Sequence, residues 1–131
     1  MRKIILSSLV TRNKRKKNHD LFSEIPAETF RDFRSLLEVQ LPQGLLVIGT
    51  RAFFWCTSLV KVNVPPTVNA IGDGAFCHCS ALLEVDLPEG LQTIEEFLFA
   101  RCWALRRVKI PSTVTRILVG AFNGCRSLMS L

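Results

Sequence analysis

The residues most able to do chemistry are Cys77, His78 and Cys79, which follow one another in the chain. Thiolate and imidazole are preferred ligands of zinc, and a cysteine beside a histidine can be an activated nucleophile. Zinc needs ligands that converge, yet Cys79 follows the apolar pattern of the chain and its two neighbours do not. A nucleophile needs an oriented base and an oxyanion site, and the only other histidine is His19. We therefore expect no metal, no cofactor and no enzymatic activity.

Four of the five cysteines recur at every twenty-third position, at Cys56, Cys79, Cys102 and Cys125. In stacked parallel strands such residues lie ~4.8 Å apart, a separation that permits a disulfide. All four would share one inward orientation, however, and free cysteine behaves as a small buried hydrophobe. The odd fifth cysteine, Cys77, and the lack of a recognisable cleavable signal favour reduced thiols. We expect an intracellular protein, cytoplasmic or nuclear.

The same constant interval orders the apolar side chains, and so it sets the architecture that must position any site. Phenylalanine recurs at Phe30, Phe53, Phe76, Phe99 and Phe122. Leucine follows six places later at Leu36, Leu59, Leu82, Leu105 and Leu128. A repeat this short cannot bury its apolar face alone, so the period indicates a solenoid of stacked repeats.

Each repeat contains one clear strand signal. Its apolar residues alternate as in a half-buried strand, so Val85 and Leu87 should point inward while Glu84 and Asp86 point outward. The proline after this run ends the strand, because it lacks an N–H donor. A second short extended piece and a tight or helical turn should complete the repeat. Glycines such as Gly72, after the second piece, should supply a positive φ.

The succession Ala-Phe-x-x-Cys-x-x-Leu-x-x-Val-x-Leu-Pro-x-x-Leu-x-x-Ile-Gly, as in Ala52 to Gly72, resembles the BspA-like leucine-rich repeats. The resemblance covers roughly Phe22 to Leu131 and implies a curved leucine-rich repeat solenoid. It places a parallel β-sheet on the concave face, with short extended segments and helical turns on the other side. It also implies protein recognition without catalysis. Glu95 and Leu118 replace the turn glycine and Leu98 replaces the alanine, so we expect distorted turns but continuous core columns.

Charge divides the chain into segments whose contributions add to a net +6. Residues 1–19 hold seven basic residues and no acid, residues 20–96 hold eleven acids against four basic residues, and residues 97–131 hold six basic residues and no acid. We predict a basic, disordered arm over residues 1–20, because like charges repel and nothing there can be buried. Residues 21–131 form the repeat domain, with an N-terminal half repeat, four full repeats and a C-terminal partial repeat without a cap.

The basic arm has a targeting-like composition. Its cluster of Lys14, Arg15, Lys16 and Lys17 fits a nuclear-localisation signal. A mitochondrial presequence and a secretory signal remain alternatives for the start of the chain. No apolar run approaches the ~18 residues of a membrane helix, so no membrane contact is expected.

The outward strand positions form the candidate partner-binding surface on the concave face. One column is Glu38, Lys61, Glu84 and Arg107, and the next is Gln40, Asn63, Asp86 and Lys109. The first column alternates in sign, so its members could simply satisfy one another, at ~0 to 1 kcal/mol for each exposed pair. Alternatively, the two columns form a polar recognition surface. Trp55 and Trp103 lie off the core columns, where they pack along the flank or join an interaction patch.

We therefore predict a non-enzymatic module that binds an unidentified protein through the concave face. Nucleic-acid association through the basic arm and the basic C-terminal third is the alternative, although the sequence shows no aromatic and basic platform for it. A third possibility is an inactive fragment of a longer array. The uncapped C-terminal end also suggests head-to-tail self-association, because the two ends of the repeat region differ in charge.

Overall fold

The computed structural model describes residues 24–129 and, as backbone, residues 3–5. The described residues form ten short strands, and strands of three and of two residues alternate along the chain. Five have three residues each: β1 (Lys3–Ile5), β3 (Glu38–Gln40), β5 (Lys61–Asn63), β7 (Glu84–Asp86) and β9 (Arg107–Lys109). Five have two residues each: β2 (Glu24–Ile25), β4 (Val47–Ile48), β6 (Ala70–Ile71), β8 (Thr93–Ile94) and β10 (Arg116–Ile117).

The longer strands form one parallel sheet in the order β1-β3-β5-β7-β9, which we call the five-stranded sheet. From β3 onward, its register advances by one repeat at each step, as in Glu38 beside Lys61 and Lys61 beside Glu84. The shorter strands form a second face, with ladders β2-β4-β6 and β8-β10. This is the leucine-rich repeat solenoid that the sequence predicted. Ile25 pairs in register with Ile48 and is buried, so β2 packs against the first full repeat.

The start of the chain requires a correction. Residues 3–5 were predicted to lie in a disordered arm, but β1 pairs with β3 and places Ile4 beside Val39. β-branched residues favour strands, and this pairing covers a sheet edge that would otherwise be open. The repeat pattern did not reveal the strand because Ile4 precedes Val39 by about one and a half repeats instead of by one. The remainder of the predicted arm up to residue 20, with Lys14 to Lys17, lies outside the described residues.

The core consists of columns of identical or similar side chains. Phe53, Phe76 and Phe99 are fully buried, and their rings stack on one another with centroids 5.4 and 5.8 Å apart. Phe30 and Phe122 extend the stack at either end. Leucine and valine columns beside the stack are also buried. The period of the sequence therefore translates directly into contacts between equivalent residues.

The cysteine column is joined to the phenylalanine column by hydrogen bonds. The thiol of Cys79 donates to the carbonyl oxygen of Phe53 at 3.2 Å, and that of Cys102 donates to Phe76 at 3.1 Å. Cys56 and Cys125 make the equivalent bond. All four are free thiols, as the reduced interpretation predicted. Each thiol thus finds a partner in the core and links one turn of the solenoid to the preceding one.

A third face is built from hydrogen-bonded turns rather than helices in residues 24–129. Each turn donates three backbone N–H groups to the following turn, for example from Arg51 to Asp73, from Phe53 to Ala75 and from Trp55 to Cys77. The turns also place two residues per repeat in the left-handed region. These residues are Glu28, Arg51, Gly74, Phe97 and Gly120 in one column and Asp32, Trp55, His78, Arg101 and Gly124 in the other.

Gly49 and Gly72 have a different role from the one predicted, because neither is among the residues of positive φ. A Cβ atom on Gly49 would lie 2.6 Å from the backbone nitrogen of Ala27, and one on Gly72 would lie 2.5 Å from that of Thr50. Glycine is therefore needed here because adjacent turns approach closely. The requirement comes from packing between repeats rather than from the conformation of a single turn.

One boundary between repeats is more open than the others, and we call it the central junction. It lies between the turn with β5 and β6 and the turn with β7 and β8. The β5–β7 register retains only Lys61 beside Glu84, and β6 and β8 belong to separate ladders. Glu95 follows β8 where the earlier repeats have the close-approach glycine. The close-approach glycine is therefore missing at the boundary where the two ladders separate.

The other departures from the repeat leave the solenoid regular. Leu118 also replaces the glycine, but its N–H still donates to the carbonyl oxygen of Ile94 at 2.9 Å. Leu98, in place of alanine, is fully buried. The turn face also stays joined across the central junction, since Phe76 donates to Leu98 and His78 donates to Ala100. The expected distortion is thus seen at Glu95 and not at Leu118, and the core columns continue.

Candidate functional site

The eight predicted partner-binding residues lie together on the five-stranded sheet. In β5, β7 and β9 the central valine is buried while the residues on both sides of it are exposed. Glu38 is half-buried and Gln40 exposed in β3. The structure therefore brings both predicted columns onto one polar surface.

The alternating charges are only partly paired. The carboxylate of Glu84 accepts from Arg107 at 3.2 Å and from Arg106 at 3.4 Å. Within residues 24–129, no carboxylate oxygen lies within 4 Å of the ammonium group of Lys61, although Glu84 is its register partner. Mutual neutralisation thus accounts for Glu84 and Arg107 and leaves Lys61 available.

A cleft of about 530 Å³ opens in the middle of this surface, at the central junction. It arises where the pairing of β5 with β7 is reduced to a single register pair. Its walls carry both charges together with amide and aliphatic groups. They are formed by Val60, Lys61, Val62, Asn63, Val64, Leu83, Glu84, Asp86 and Arg106. Four of the predicted residues therefore line a recess rather than a flat sheet.

Sequence reasoning missed a second surface, on the turn face. The rings of Trp55 and His78 stack with centroids 3.9 Å apart, and the guanidinium of Arg34 lies 5.1 Å from the centre of the Trp55 ring. Arg31 and Arg51 lie 5.1 and 5.7 Å from the centre of the Phe54 ring. We call these six residues and Arg101 the turn ridge. This grouping of aromatic and basic side chains was not predicted from the sequence.

The signal for the turn ridge was present in the repeat spacing. Arg31 precedes Phe54 by one repeat, and Trp55, His78 and Arg101 follow one another at the same spacing. Stacking therefore places a cation or a ring next to another ring. The signal was overlooked because the residues differ in type along each column, whereas the core columns repeat one type.

The arginines of the turn ridge differ in how they are neutralised. Arg31 lies 2.6 Å from a carboxylate oxygen of Glu28, and Arg34 lies 3.5 Å from one of Asp32. Arg51 and Arg101 have no carboxylate within 4 Å among residues 24–129. The ridge therefore has two satisfied and two available guanidinium groups.

The two available arginines affect the pKa values of neighbouring residues, namely Cys77 and His78. Burial lowers the pKa of His78, and the positive charge of Arg101 lowers it further. Burial raises the pKa of Cys77, while Arg101 and Arg51 act in the opposite direction. Positive charge from the turns on both sides thus acts on Cys77, and that of the following turn acts on His78.

Metal binding and nucleophilic catalysis find no support in this arrangement. In the portion of the chain that the structure describes, no group of three or more His, Cys, Asp or Glu side chains could hold a metal ion. Burial raises the pKa of Cys56 to about 12, and it raises the pKa of Cys79 and Cys102 as well. Thiolate is both the nucleophile and the metal ligand, so these thiols are suited to packing.

Comparison with known proteins identifies the repeats. The model of the BspA type leucine rich repeat region matches residues 18–131 in six copies. The chain belongs to this family. No curated protein sequence matches the chain. The described residues include no helix that is long and apolar enough to cross a membrane.

Solved structures of other leucine-rich repeat proteins are similar to this BspA-type chain. A protein from Bacteroides ovatus has a TM-score of 0.70 and 23% identity, over 97% of this chain and 36% of the other. A leucine rich cell surface protein from Faecalibacterium prausnitzii has 0.55 and 27%, over 84% and 43%. A leucine-rich repeat protein of T. pallidum has 0.54 and 21%, over 97% and 78%. The chain thus spans less than half the length of the first two.

Proposed function

We propose that the chain is a non-enzymatic module that binds a protein partner through the five-stranded sheet. The observation that carries this proposal is the position of the eight polar residues, which share one solvent-facing surface above a column of buried valines. Leucine-rich repeat solenoids present such a surface to other proteins on their concave side. The family supports the same class of function, because its repeats build a scaffold rather than a catalytic centre.

The cleft at the central junction is the proposed centre of the contact. Desolvated residues near the middle of an interface dominate its binding energy, and the cleft can desolvate groups that a flat sheet leaves in water. Lys61 is available for a carboxylate of the partner, whereas Glu84 is already engaged by two arginines. Asn63 and Asp86 add a hydrogen-bonding amide and a negative charge to the walls. The partner should therefore present a mixed surface with at least one acidic group.

Charge-reversal variants test the proposed surface. The folded chain is used for affinity capture with mass spectrometry, alongside Lys61→Glu in the cleft and Arg116→Glu on β10 as a control with the same charge change. Both positions are exposed, so neither change should unfold the chain. We expect Lys61→Glu to remove specific partners and Arg116→Glu to retain them. Identical partner profiles for all three proteins would overturn the proposal.

Nucleic-acid association remains the alternative function, and the turn ridge is the observation that bears on it. Single-strand binders stack bases on exposed ring faces. In the ridge, Trp55 has Arg34 from the preceding turn on one side and His78 from the next turn on the other. Its faces are therefore occupied, and binding would depend on phosphate contacts alone. Such binding should weaken steeply with added salt, which an oligonucleotide titration at two salt concentrations would measure.

The location of the protein is also a proposal. Five free cysteines, four of them buried, support an intracellular location in a reducing compartment. The similarity to a cell surface protein of F. prausnitzii supports the opposite placement. Fractionation of cells that express the chain with an epitope tag would distinguish the two. Because the chain covers only part of its relatives, an inactive segment of a longer array is a third outcome, in which capture finds no specific partner.

A further inference from the structure

The turn ridge lies on a different face of the solenoid from the five-stranded sheet, so it can act independently of the function proposed above. Its residues Arg51, Trp55, His78 and Arg101 all adopt the left-handed conformation, with φ between 55° and 64°. Glycine occupies the same two columns at Gly74, Gly120 and Gly124. Non-glycine residues in this conformation are strained, and such strain is concentrated at functional sites. The ridge thus holds large cationic and aromatic side chains where the backbone favours glycine.

Arg51 and Arg101 approach the third full turn of the solenoid from opposite directions. Arg51 belongs to the preceding turn and lies across Gly74, where a Cβ would be 3.4 Å from its Cγ. Arg101 belongs to the following turn, and its charge acts on both Cys77 and His78. The lack of a side chain on Gly74 leaves room for Arg51. The two arginines therefore flank the turn that carries Gly74 and His78.

An aromatic contact helps to hold the guanidinium of Arg51 on the ridge. The Cζ atom of Arg51 lies 5.7 Å from the centre of the Phe54 ring. A guanidinium attracted to an aromatic face can still donate its N–H groups in pairs to a carboxylate. Within the described ranges, no carboxylate of the chain itself takes up the donors of either arginine. The site is chemically complementary to an anion supplied from outside.

We propose that the turn ridge binds an acidic peptide segment of a partner protein, with carboxylates received by Arg51 and Arg101. The two arginines are separated by two turns, about 10 Å along the axis at ~4.8 Å for each turn. One small anion spans this distance poorly, whereas carboxylates three residues apart on a polyproline II chain match it, because such a chain has three residues per turn and rises ~3.1 Å for each residue. Stacked nucleobases are disfavoured because the ring faces are occupied by arginine and histidine.

Intrinsic fluorescence gives a direct test, because the chain has only two tryptophans. In a Trp103→Phe background, Trp55 in the ridge is the only reporter. The probe is an unlabelled extended peptide in which aspartate recurs every third residue among serines, titrated at low salt. We expect saturable binding, and the double variant Arg51→Gly, Arg101→Gly should weaken it at least tenfold. Arg116→Gln, which removes one positive charge from an exposed position of β10, should leave the peptide affinity within twofold.

The variants are chosen so that loss of binding cannot be mistaken for unfolding. Glycine already occupies both columns, so the two substitutions relieve backbone strain instead of adding it. Far-ultraviolet circular dichroism of each variant confirms the fold. Absence of peptide binding, or equal affinity of the double variant and its parent, would overturn the proposal. Tighter binding of an oligothymidylate of equal charge would also overturn it, in favour of a nucleic-acid surface.

Discussion

At the scale of single residues, the repeat spacing predicts what is buried better than it predicts backbone conformation. Phe76 and Cys79 were placed in the core because identical residues recur above and below them, and burial of equivalent side chains follows from stacking. Gly49 was assigned a positive φ from its type alone. Its actual role depends on how closely the next turn approaches. That distance is a property of two repeats together, so it could not be deduced from one.

The stacked phenylalanines allow a quantitative prediction. Phe76→Ala removes a fully buried ring that lies between Phe53 and Phe99, so it should lower the free energy of unfolding by about 3 to 5 kcal/mol. Urea denaturation measures this change. Phe33→Ala is the matched control, because the side chain of Phe33 is 43% exposed and its loss should cost about 1 kcal/mol or less. Equal effects of the two substitutions would show that the register of the core is wrong.

The buried thiols of the cysteine column predict that the folded chain loses stability in alkaline solution. Burial raises the pKa of Cys56 from 9.0 to about 12 and also raises the pKa of Cys79 and Cys102. A group with a higher pKa in the folded chain stabilises it fully below the ordinary value. This contribution is lost as the pH rises through the window between 9.0 and the raised values. Unfolding free energies measured at neutral pH and at about pH 11 should therefore differ.

A variant separates the thiols from other groups that titrate in the same window. Cys79→Ala and Cys102→Ala together should reduce stability at neutral pH, because they remove packing and two hydrogen bonds. The same variant should decline less steeply between neutral and alkaline pH. An equally steep decline in both proteins would mean that the thiols do not couple folding to pH.

At the scale of elements, the strands at Val39, Val62, Val85 and Val108 were predictable because alternation and a following proline mark each one. The first strand was not predictable in this way. β1 precedes its partner by about one and a half repeats, so it breaks the period that revealed the others. The candidate site was likewise predicted where the strands define it and missed where turns bring different residue types together. The pattern within one repeat is enough to predict the strand residues, whereas the turn ridge can be predicted only when the repeats are considered as a stack.

Pairing of β1 with β3 changes the expected effect of altering the N-terminal segment. A disordered arm, as predicted from the sequence, would contribute nothing to folded stability. Ile4→Pro removes a backbone N–H from an edge strand and should instead lower the unfolding free energy by about 1 kcal/mol. It should also speed amide exchange in β3. A proline at Lys16, within the basic cluster, is the comparison, and equal effects of the two prolines on β3 exchange would contradict the pairing.

At the scale of the whole molecule, the distribution of charge changes the expected strength of head-to-tail assembly. Residues 1–19 carry seven basic residues and residues 97–131 carry six, and neither segment contains an acid. A head-to-tail contact that brought these two segments together would place like charges near one another, which is unfavourable. The attraction that the sequence suggested between the ends of the repeat region would therefore be opposed by the basic segments.

Self-association, if driven from the C-terminal end, should then depend on apolar contacts. Ile117 and Val119 are 51% and 67% exposed there. Salt screens the repulsion between the basic ends and leaves the apolar attraction in place. For this chain of 131 residues, sedimentation should show more association at high salt than at low salt, and Val119→Lys should suppress it. Association that weakens with added salt would support the original charge-driven proposal.

The central junction gives the molecule an uneven response to mechanical load. In a solenoid each repeat is held only by its neighbours, so tension applied along the axis passes through every boundary in turn. At this boundary one face retains a single register pair and the second face has separated ladders, while the turn face remains bonded. The two strand faces should therefore separate first at this boundary, while the stacked phenylalanines stay in contact and act as a hinge. A partner wedged into the cleft would hold the two halves apart, so the curvature of the rod would report whether the cleft is occupied.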